Sequence, residues 1–143
     1  MKKIDHLACV TCSKTYGVDD VDYVCPDCGL DRGTLDVIYD YEAIRPRLTR
    51  RHLADSTEAS QWRYWEILPL SRRELCPPLR IGWTPLYRAD RLERELGLKC
   101  LWLKDDTGNP SASLKDRASV MAAVRAKELG KDAVAGTSTG DAA

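Results

Sequence analysis

The stretch Leu103-Lys-Asp-Asp-Thr-Gly-Asn-Pro-Ser-Ala-Ser-Leu-Lys-Asp-Arg117 decides the fold of the second half of the chain. It joins a strand signal to acidic and turn residues, and then to the start of an amphipathic helix. Ser113 is placed as the helix N-cap and Asp116 as its capping-box partner, which makes Lys115 the second helical residue. The positive end of the helix dipole favours a neutral amine there, the form that a covalent catalyst needs. Lys115 is therefore a candidate for covalent catalysis, with a solvated first-turn lysine as the alternative.

The elements on either side of this stretch predict an α/β fold. Strands are predicted over 99–104 and 133–137, and the apolar residues on both faces of 99–104 indicate an interior strand of a covered sheet. A short helix is expected over 89–97, ended by Gly97. The order of strand, turn, helix, strand and turn favours a right-handed parallel crossover. The main helix is predicted from Leu114 to Leu129, ended by Gly130, with a mostly apolar stripe formed by Leu114, Ala118, Met121, Ala122, Arg125 and Leu129.

Two C-x-x-C pairs near the start of the chain predict a zinc ribbon. They are Cys9-Val-Thr-Cys12 and Cys25-Pro-Asp-Cys28, and Gly29 stands ready for a positive backbone angle. Two disulfides or a redox motif are the alternatives, but a reducing compartment and the paired spacing favour zinc. Four cysteines leave no open position on the metal, so its role would be structural. Cys76 and Cys100 lack partners at ligand spacing and are expected to be semi-buried.

The pattern predicts three segments. Residues 1–40 form the ribbon, closed by a strand over Leu35 to Tyr39, and 81–143 are the beginning of the α/β domain. Residues 41–80 are a connector with short helices, one of them over 42–48. The connector carries an arginine cluster, for which we favour a solvated helix face over a nucleic-acid surface. Its aromatic side chains are too close in sequence to share one helix face, so at least one should pack against a neighbouring domain or subunit. The cluster is Arg45, Arg47, Arg50 and Arg51, and the aromatics are Trp62, Tyr64 and Trp65.

Composition narrows the class of protein. The 143 residues include 22 Lys+Arg and 22 Asp+Glu, so the formal net charge is zero and no strong field attracts a nucleic acid. No apolar run approaches the roughly 20 residues that span a bilayer, so a membrane role has no support. The first residues are basic but no apolar segment follows them, which predicts a cytoplasmic location.

Several motifs occur together in the order typical of one enzyme family. Asp105-Asp-Thr-Gly-Asn-Pro-Ser-Ala-Ser-Leu-Lys-Asp-Arg117 resembles the cofactor-lysine motif of the threonine synthases, which are fold-type II pyridoxal-phosphate enzymes. The four-cysteine ribbon, Trp62-Arg-Tyr64, Gly82-Trp-Thr-Pro-Leu86 and Gly136-Thr-Ser-Thr-Gly140 resemble the same family. The ribbon and Trp62-Arg-Tyr64 favour threonine synthase over threonine dehydratase and cysteine synthase, the alternatives within the superfamily. The resemblance implies the beginning of a three-layer αβα domain.

The resemblance also implies roles for single residues. Lys115 would hold pyridoxal 5'-phosphate as an internal aldimine and then move protons as a base. Ser138, Thr139 and Gly140 would bind the carboxylate of a small amino-acid substrate, at a strand-to-helix turn with free N–H groups. The family motif continues with an asparagine that contacts the cofactor, whereas this chain has Asp141. A carboxylate there predicts weaker binding of cofactor and substrate, unless Asp141 only caps the next helix.

The family reaction would convert O-phosphohomoserine and water to threonine and phosphate. The family's glycine-rich phosphate loop and the residue facing the pyridine nitrogen have no visible equivalent in this sequence. We therefore expect the chain to be the N-terminal part of a longer lyase, inactive alone. The sequence leaves three states open: a monomer, a homodimer, and completion of the sheet by another chain. The alternative hypothesis is a zinc-ribbon interaction module with a vestigial α/β segment.

Overall fold

The computed structural model describes residues 3–138, which form a mixed α/β chain of two compact units. The first unit contains residues up to 56 together with 64–69, and the second contains 57–63 and the residues from 70 onward. The predicted segment boundaries at residues 40 and 80 stay predictions. The strands and α-helices are β1 (Ile4–Cys9), β2 (Thr15–Tyr16), α1 (Gly29–Arg32), β3 (Leu35–Tyr39), α2 (Tyr41–Ile44), α3 (Arg50–Asp55), β4 (Leu86–Arg88), α4 (Asp90–Glu95), β5 (Trp102–Lys104) and α5 (Asp116–Glu128).

A three-stranded antiparallel sheet organises the first unit. The strand order is β2-β1-β3, so that Leu7 lies opposite both Tyr16 and Val37. The pairing of β1 with β3 is irregular between Ile4 and His6. The predicted strand over Leu35 to Tyr39 is confirmed as β3, an edge strand of this sheet.

Short capped helices follow the ribbon sheet. The carboxylate of Asp40 accepts from the N–H of Ala43 at the start of α2, and the hydroxyl of Thr49 accepts from the N–H of His52 in α3. The helix predicted over 42–48 is observed as α2, which begins one residue earlier, at Tyr41, and ends at Ile44. Three of the clustered arginines form ion pairs: Arg45 with Glu42, Arg47 with Glu66, and Arg51 with Asp55.

The aromatic segment of the connector is a 3-10 helix, Gln61–Ile67, with a kink at Tyr64. In the second unit Trp62 is only 5% exposed. In the first unit the Lys3 ammonium lies 4.1 Å from the ring centroid of Trp65 and donates to its carbonyl oxygen at 2.6 Å. Tyr64 is exposed. Packing of one aromatic against a neighbouring subunit stays a prediction.

The two-stranded sheet of β4 and β5 corrects the prediction of an interior strand. β5 covers only Trp102–Lys104 and pairs antiparallel with β4, with Tyr87 opposite Leu103. All residues of both strands are exposed, including Trp102 at 49% and Leu103 at 47%. The prediction was wrong because apolar residues on both faces show only that a strand is able to lie inside a covered sheet. Within residues 3–138 no other element packs over either face of β5.

The second predicted strand, over 133–137, is also not formed. These residues have irregular backbone and exposed side chains, so the described part of the chain contains no parallel crossover. A β-strand exists only when a neighbour satisfies its N–H and C=O groups. Local apolar content could not show that this neighbour is missing from residues 3–138. α4 ends before Gly97 (φ +64°) as predicted.

Helix α5 is confirmed in place and its end is correct, with φ +65° at Gly130. Its buried face is displaced from the predicted stripe: Val120 and Val124 are buried, whereas Leu114 is 61% exposed. The alanines in the helix made the two stripes hard to separate by periodicity alone. Among the described residues, the core of the second unit contains Val120, Val124, Trp62, Leu70 and Ile81. None of the helices within residues 3–138 is long and apolar enough to cross a membrane.

Candidate functional site

The four predicted metal ligands lie together in the first unit. The Sγ atoms of Cys9, Cys12, Cys25 and Cys28 are all within 4.8 Å of one another. Cys9 Sγ is 3.8 Å from Cys28 Sγ, and Cys12 Sγ is 3.7 Å from Cys25 Sγ. A tetrahedral zinc ion with bonds of about 2.3 Å separates its sulfur ligands by about 3.8 Å. The cluster is therefore compatible in donor type and spacing with a four-thiolate zinc site.

Two tight turns of the backbone bring these thiols together. The N–H of Cys9 donates to the carbonyl of Lys14, and φ of Ser13 is +61°. The N–H of Gly29 donates to the carbonyl of Cys25, and Gly29 adopts φ +66° as predicted. A Cβ on Gly33 would lie 2.4 Å from the carbonyl oxygen of Gly29, so no side chain fits there.

The thiols differ in their electrostatic surroundings. The Tyr16 hydroxyl lies 3.1 Å from Cys25 Sγ, and its hydrogen bond lowers the pKa of the Cys25 thiol to about 6. The hydrogen bond with Cys12, together with burial, raises the pKa of Cys28 to about 12. The Cys25 thiol therefore ionises readily near neutral pH, whereas binding of a metal would have to displace the protons of Cys12 and Cys28, whose pKa values are raised. Cys76 is partly buried as predicted, while Cys100 is exposed, contrary to the prediction.

Lys115 lies at the N-cap of α5 and is partly buried. The predicted capping box is not formed, because the helix begins at Asp116 and the Asp116 carboxylate instead accepts from the N–H (2.8 Å) and hydroxyl (2.5 Å) of Ser111. The Ser113 hydroxyl accepts from the N–H of Lys115 at 3.2 Å. Ser113 thus stabilises the turn before the helix rather than its first turn, which motif spacing alone cannot distinguish.

An ion pair that the sequence analysis missed fixes the residue two positions after Lys115. Arg117 Nη2 donates to Asp106 Oδ1 at 2.7 Å, and the Thr84 hydroxyl donates to the same oxygen at 2.6 Å. Arg117 Nη2 also lies 3.2 Å from Thr84 Oγ1. Arg117, followed by Thr84, holds the pKa of the Asp106 carboxyl below its usual range. Asp106 and Arg117 both belong to the quoted motif, but only the folded chain shows that Thr84 joins them.

Asn109 is a second residue that sequence reasoning missed. It is 4% exposed, its Oδ1 accepts from the N–H of Gly82 at 2.9 Å, and its Nδ2 donates to the carbonyl of Ser113 at 3.0 Å. The only sequence signal was its place in the Asn-Pro turn before Lys115. Asn109 therefore joins the Gly82 segment to the Lys115 turn.

The Gly82 segment turns sharply, since Gly82 (φ +80°) and Trp83 (φ +52°) are both left-handed. Such a conformation is unusual for a bulky residue. The Arg63 guanidinium lies 3.7 Å from the ring centroid of Trp83, a stacking contact that stabilises the strained position. The Gly82-Trp83-Thr84 turn thus has a structural role: it places the Thr84 hydroxyl within hydrogen-bond distance of Asp106.

The predicted substrate turn is only partly within the structure. Ser138 is partly buried at the end of the irregular segment 131–138. Thr139, Gly140 and Asp141 lie outside the described residues. Their predicted roles, like that of Lys115, stay proposals.

Comparison with known proteins now bears on the Lys115 segment. Residues 78–143 match the family model described as "Pyridoxal-phosphate dependent enzyme". The chain is 43% identical over 133 residues to the threonine synthase of Methanocaldococcus jannaschii. The aligned residues make up 93% of this chain and 32% of the relative. The resemblance to the threonine synthases is confirmed.

Other threonine synthases agree. The threonine synthase of Methanosarcina acetivorans is 39% identical over 137 residues, which are 95% of this chain and 32% of the relative. That of Halalkalibacterium halodurans is 39% identical over 87 residues, with 57% of this chain and 24% of the relative covered. The chain spans about a third of the length of the first two threonine synthases. No solved structure matches it significantly.

Proposed function

We propose that the chain is the N-terminal part of a pyridoxal-phosphate-dependent lyase of the threonine synthase type. The reaction is the conversion of O-phosphohomoserine and water to threonine and phosphate, with carbon–oxygen bond cleavage at the phosphate-bearing carbon. The observation that carries the proposal is Lys115, which lies partly buried at the N-cap of α5 inside the region that matches the cofactor-dependent family. Because the chain spans about a third of its relatives, we assign the activity to a protein that contains it and not to these 143 residues alone.

The described residues suit the aldehyde end of the cofactor. Lys115 supplies the primary amine that an aldehyde requires, and the ties of Ser113 and Arg117 to their neighbours fix the backbone on both sides of it. Within residues 3–138 we find no glycine-rich loop for the phosphate, so that part of the cofactor would be held elsewhere. The bound cofactor supplies an electron sink.

The chain's own groups would divide the remaining work. Lys115 Nζ would accept and return protons at the α and β carbons of the substrate. The backbone N–H groups of residues 138–140 would bind the substrate carboxylate. Asp141 would lack the N–H donor that an asparagine offers, and so would weaken binding of the cofactor.

Borohydride reduction tests the role of Lys115. We expect pyridoxal phosphate followed by borohydride to attach one pyridoxyl group, located at Lys115 by peptide mass mapping, in a longer protein containing this chain. Lys115→Arg should remove the label while Lys127→Arg, an exposed position on the same helix, should keep it. Labelling that is spread over several lysines, or that survives in Lys115→Arg, would contradict the proposal.

We propose further that the four cysteines hold one structural zinc ion, on the strength of the sulfur spacing. A cytoplasmic location agrees with four reduced thiolates, and a small-molecule substrate agrees with the proposed lyase reaction. The second candidate function, a zinc-ribbon interaction module, is favoured by two side chains on the ribbon, Tyr23 and Leu30, that are each 80% exposed. Stoichiometric zinc with no specific label at Lys115 would favour this second function.

A further inference from the structure

The buried amide of Asn109 contacts two separate segments of the second unit, and each contact uses a different end of the amide. The oxygen accepts from Gly82 and the nitrogen donates to Ser113. A carboxylate of the same shape could make the first contact but not the second, because it has no N–H to donate. The site is thus built for an amide, and a buried polar group with both ends satisfied specifies one arrangement of the chain around it.

Ser113 connects Asn109 to Lys115 through two hydrogen bonds. The Ser113 carbonyl is held by Asn109, and the Ser113 hydroxyl accepts from the N–H of Lys115. Lys115 precedes the first helical residue: its carbonyl accepts from the N–H groups of Ala118 and Ser119 in the helix, whereas its own N–H is held from the turn, by Ser113. The direction in which the Lys115 side chain leaves the chain therefore depends on the turn 113–115.

The chain just before that turn has an unfavourable backbone conformation. Ala112 adopts φ +57°, a left-handed conformation that costs about 1–2 kcal/mol for a residue other than glycine. The N–H of Ala112 donates to the carbonyl of Asn109 at 2.9 Å, so that Asn109 holds this residue through its backbone as well. Strained positions of this kind persist only where surrounding contacts determine them, and they are frequent at functional sites.

We propose that Asn109 is a positioning residue for Lys115: its amide fixes the turn 113–115 and thereby sets where the reactive amine lies. The inference rests on the proposed function of Lys115. It assigns to Asn109 no contact with substrate or cofactor. Its effect is expected on the order and reactivity of Lys115, beyond any general loss of stability.

Two variants separate this role from a purely structural one. Asn109→Asp keeps the acceptor for Gly82 and loses the donor to Ser113. Ser60→Ala is the matched control, since Ser60 is a buried residue of the same unit. Its hydroxyl donates to Glu58 and accepts from the N–H of Trp62. Among the described hydrogen bonds it contacts none of residues 113–117. Amide hydrogen exchange is measured over residues 113–117, and borohydride-fixed pyridoxal phosphate is measured at Lys115 against time.

We expect Asn109→Asp to speed exchange over 113–117 and to slow labelling of Lys115, each by about five- to tenfold, the effect of one lost hydrogen bond. Ser60→Ala should change neither by more than its loss of stability explains. The proposal is overturned if the two variants behave alike, or if exchange over 113–117 is unchanged in Asn109→Asp. Specific labelling that is absent from the parent protein would defeat the proposed function of Lys115, while the exchange measurement would still decide whether Asn109 fixes the turn.

Discussion

Gly82 lies where any side chain would collide with the Lys115 segment. A Cβ built on it would be 2.7 Å from Arg117 Nη1 and 3.2 Å from the backbone nitrogen of Gln61, and its φ of +80° is unfavourable for other residues. The absence of a side chain therefore allows both the turn and the ion pair of Arg117 with Asp106. A side chain at Gly82 would therefore be unfavourable twice, because of the backbone conformation and because of the close contacts.

We predict that Gly82→Ala lowers the free energy of unfolding by about 3 kcal/mol, the sum of a left-handed alanine and an overpacked contact. Gly97→Ala is the matched control, because Gly97 has φ +64° and a Cβ there meets no described atom within 4 Å. It should lose only about 1 kcal/mol. Urea denaturation of both variants gives the comparison, and equal losses would show that the Arg117 contact yields without cost.

At the scale of elements, helix α5 is held to the preceding segment by one carboxylate near its end. The Glu128 side chain is only 2% exposed, and its Oε1 accepts from the N–H groups of Ser71 (2.7 Å) and Arg72 (2.6 Å). Arg125 donates to its other oxygen at 3.2 Å. Burial by itself raises the pKa of Glu128, but the hydrogen bonds from Arg72, Ser71 and Arg125 outweigh it and leave the pKa lower than usual.

The sign of this pKa shift predicts acid sensitivity. A carboxyl group whose pKa is lowered by folding stabilises the protein above its unfolded pKa of about 4.3, and that contribution is lost as pH falls through the folded value. We expect Glu128→Gln to lower stability by about 1–3 kcal/mol at pH 7 and to flatten the fall in stability below about pH 4.3.

Unfolding measured by urea between pH 3 and pH 7 checks this prediction. Glu95→Gln is the control, since Glu95 is an exposed partner of Arg91 on α4 and should change stability little at any pH. An acid profile of Glu128→Gln parallel to that of the parent would mean that other carboxyl groups cause the acid sensitivity.

At the scale of the whole molecule, the two compact units differ in what stabilises them. Among residues 3–138, the buried hydrophobic residues of the first unit are Cys9, Cys25 and Ile44, two of them predicted metal ligands. The second unit has an apolar core around Val124 and Leu70. Small domains with few buried apolar side chains commonly use a structural metal as a further source of stability.

We therefore predict one zinc ion per chain, and that a strong chelator raises amide exchange throughout β1, β2 and β3 without changing exchange in α5. Cys12→Ser should abolish zinc binding, and Cys76→Ser should leave it intact because Cys76 is not in the cluster. Zinc content by atomic emission and exchange by mass spectrometry provide the measurements. Retained order in the three strands after complete removal of zinc would show that the sheet is stable by itself.

The sequence by itself determined the features that depend on local spacing. Two C-x-x-C pairs predicted the residues that meet in the cysteine cluster, because each pair needs only one turn of backbone. Gly97 and Gly130 marked the ends of α4 and α5, since a left-handed C-terminal residue is a local requirement. The motif around Lys115 also predicted the resemblance to the threonine synthases through residue order alone.

Only the tertiary structure decided the features that depend on partners distant in sequence. The buried face of α5 with Val120 and Val124 depends on such partners, and so do the hydrogen bonds of Asn109 to Gly82 and of Thr84 to Asp106. The same is true of residues 133–137, which read as a strand but have no strand partner within residues 3–138. The physical reason is that periodicity reports what a segment could bury or bond, while the neighbours that the fold supplies decide whether it does.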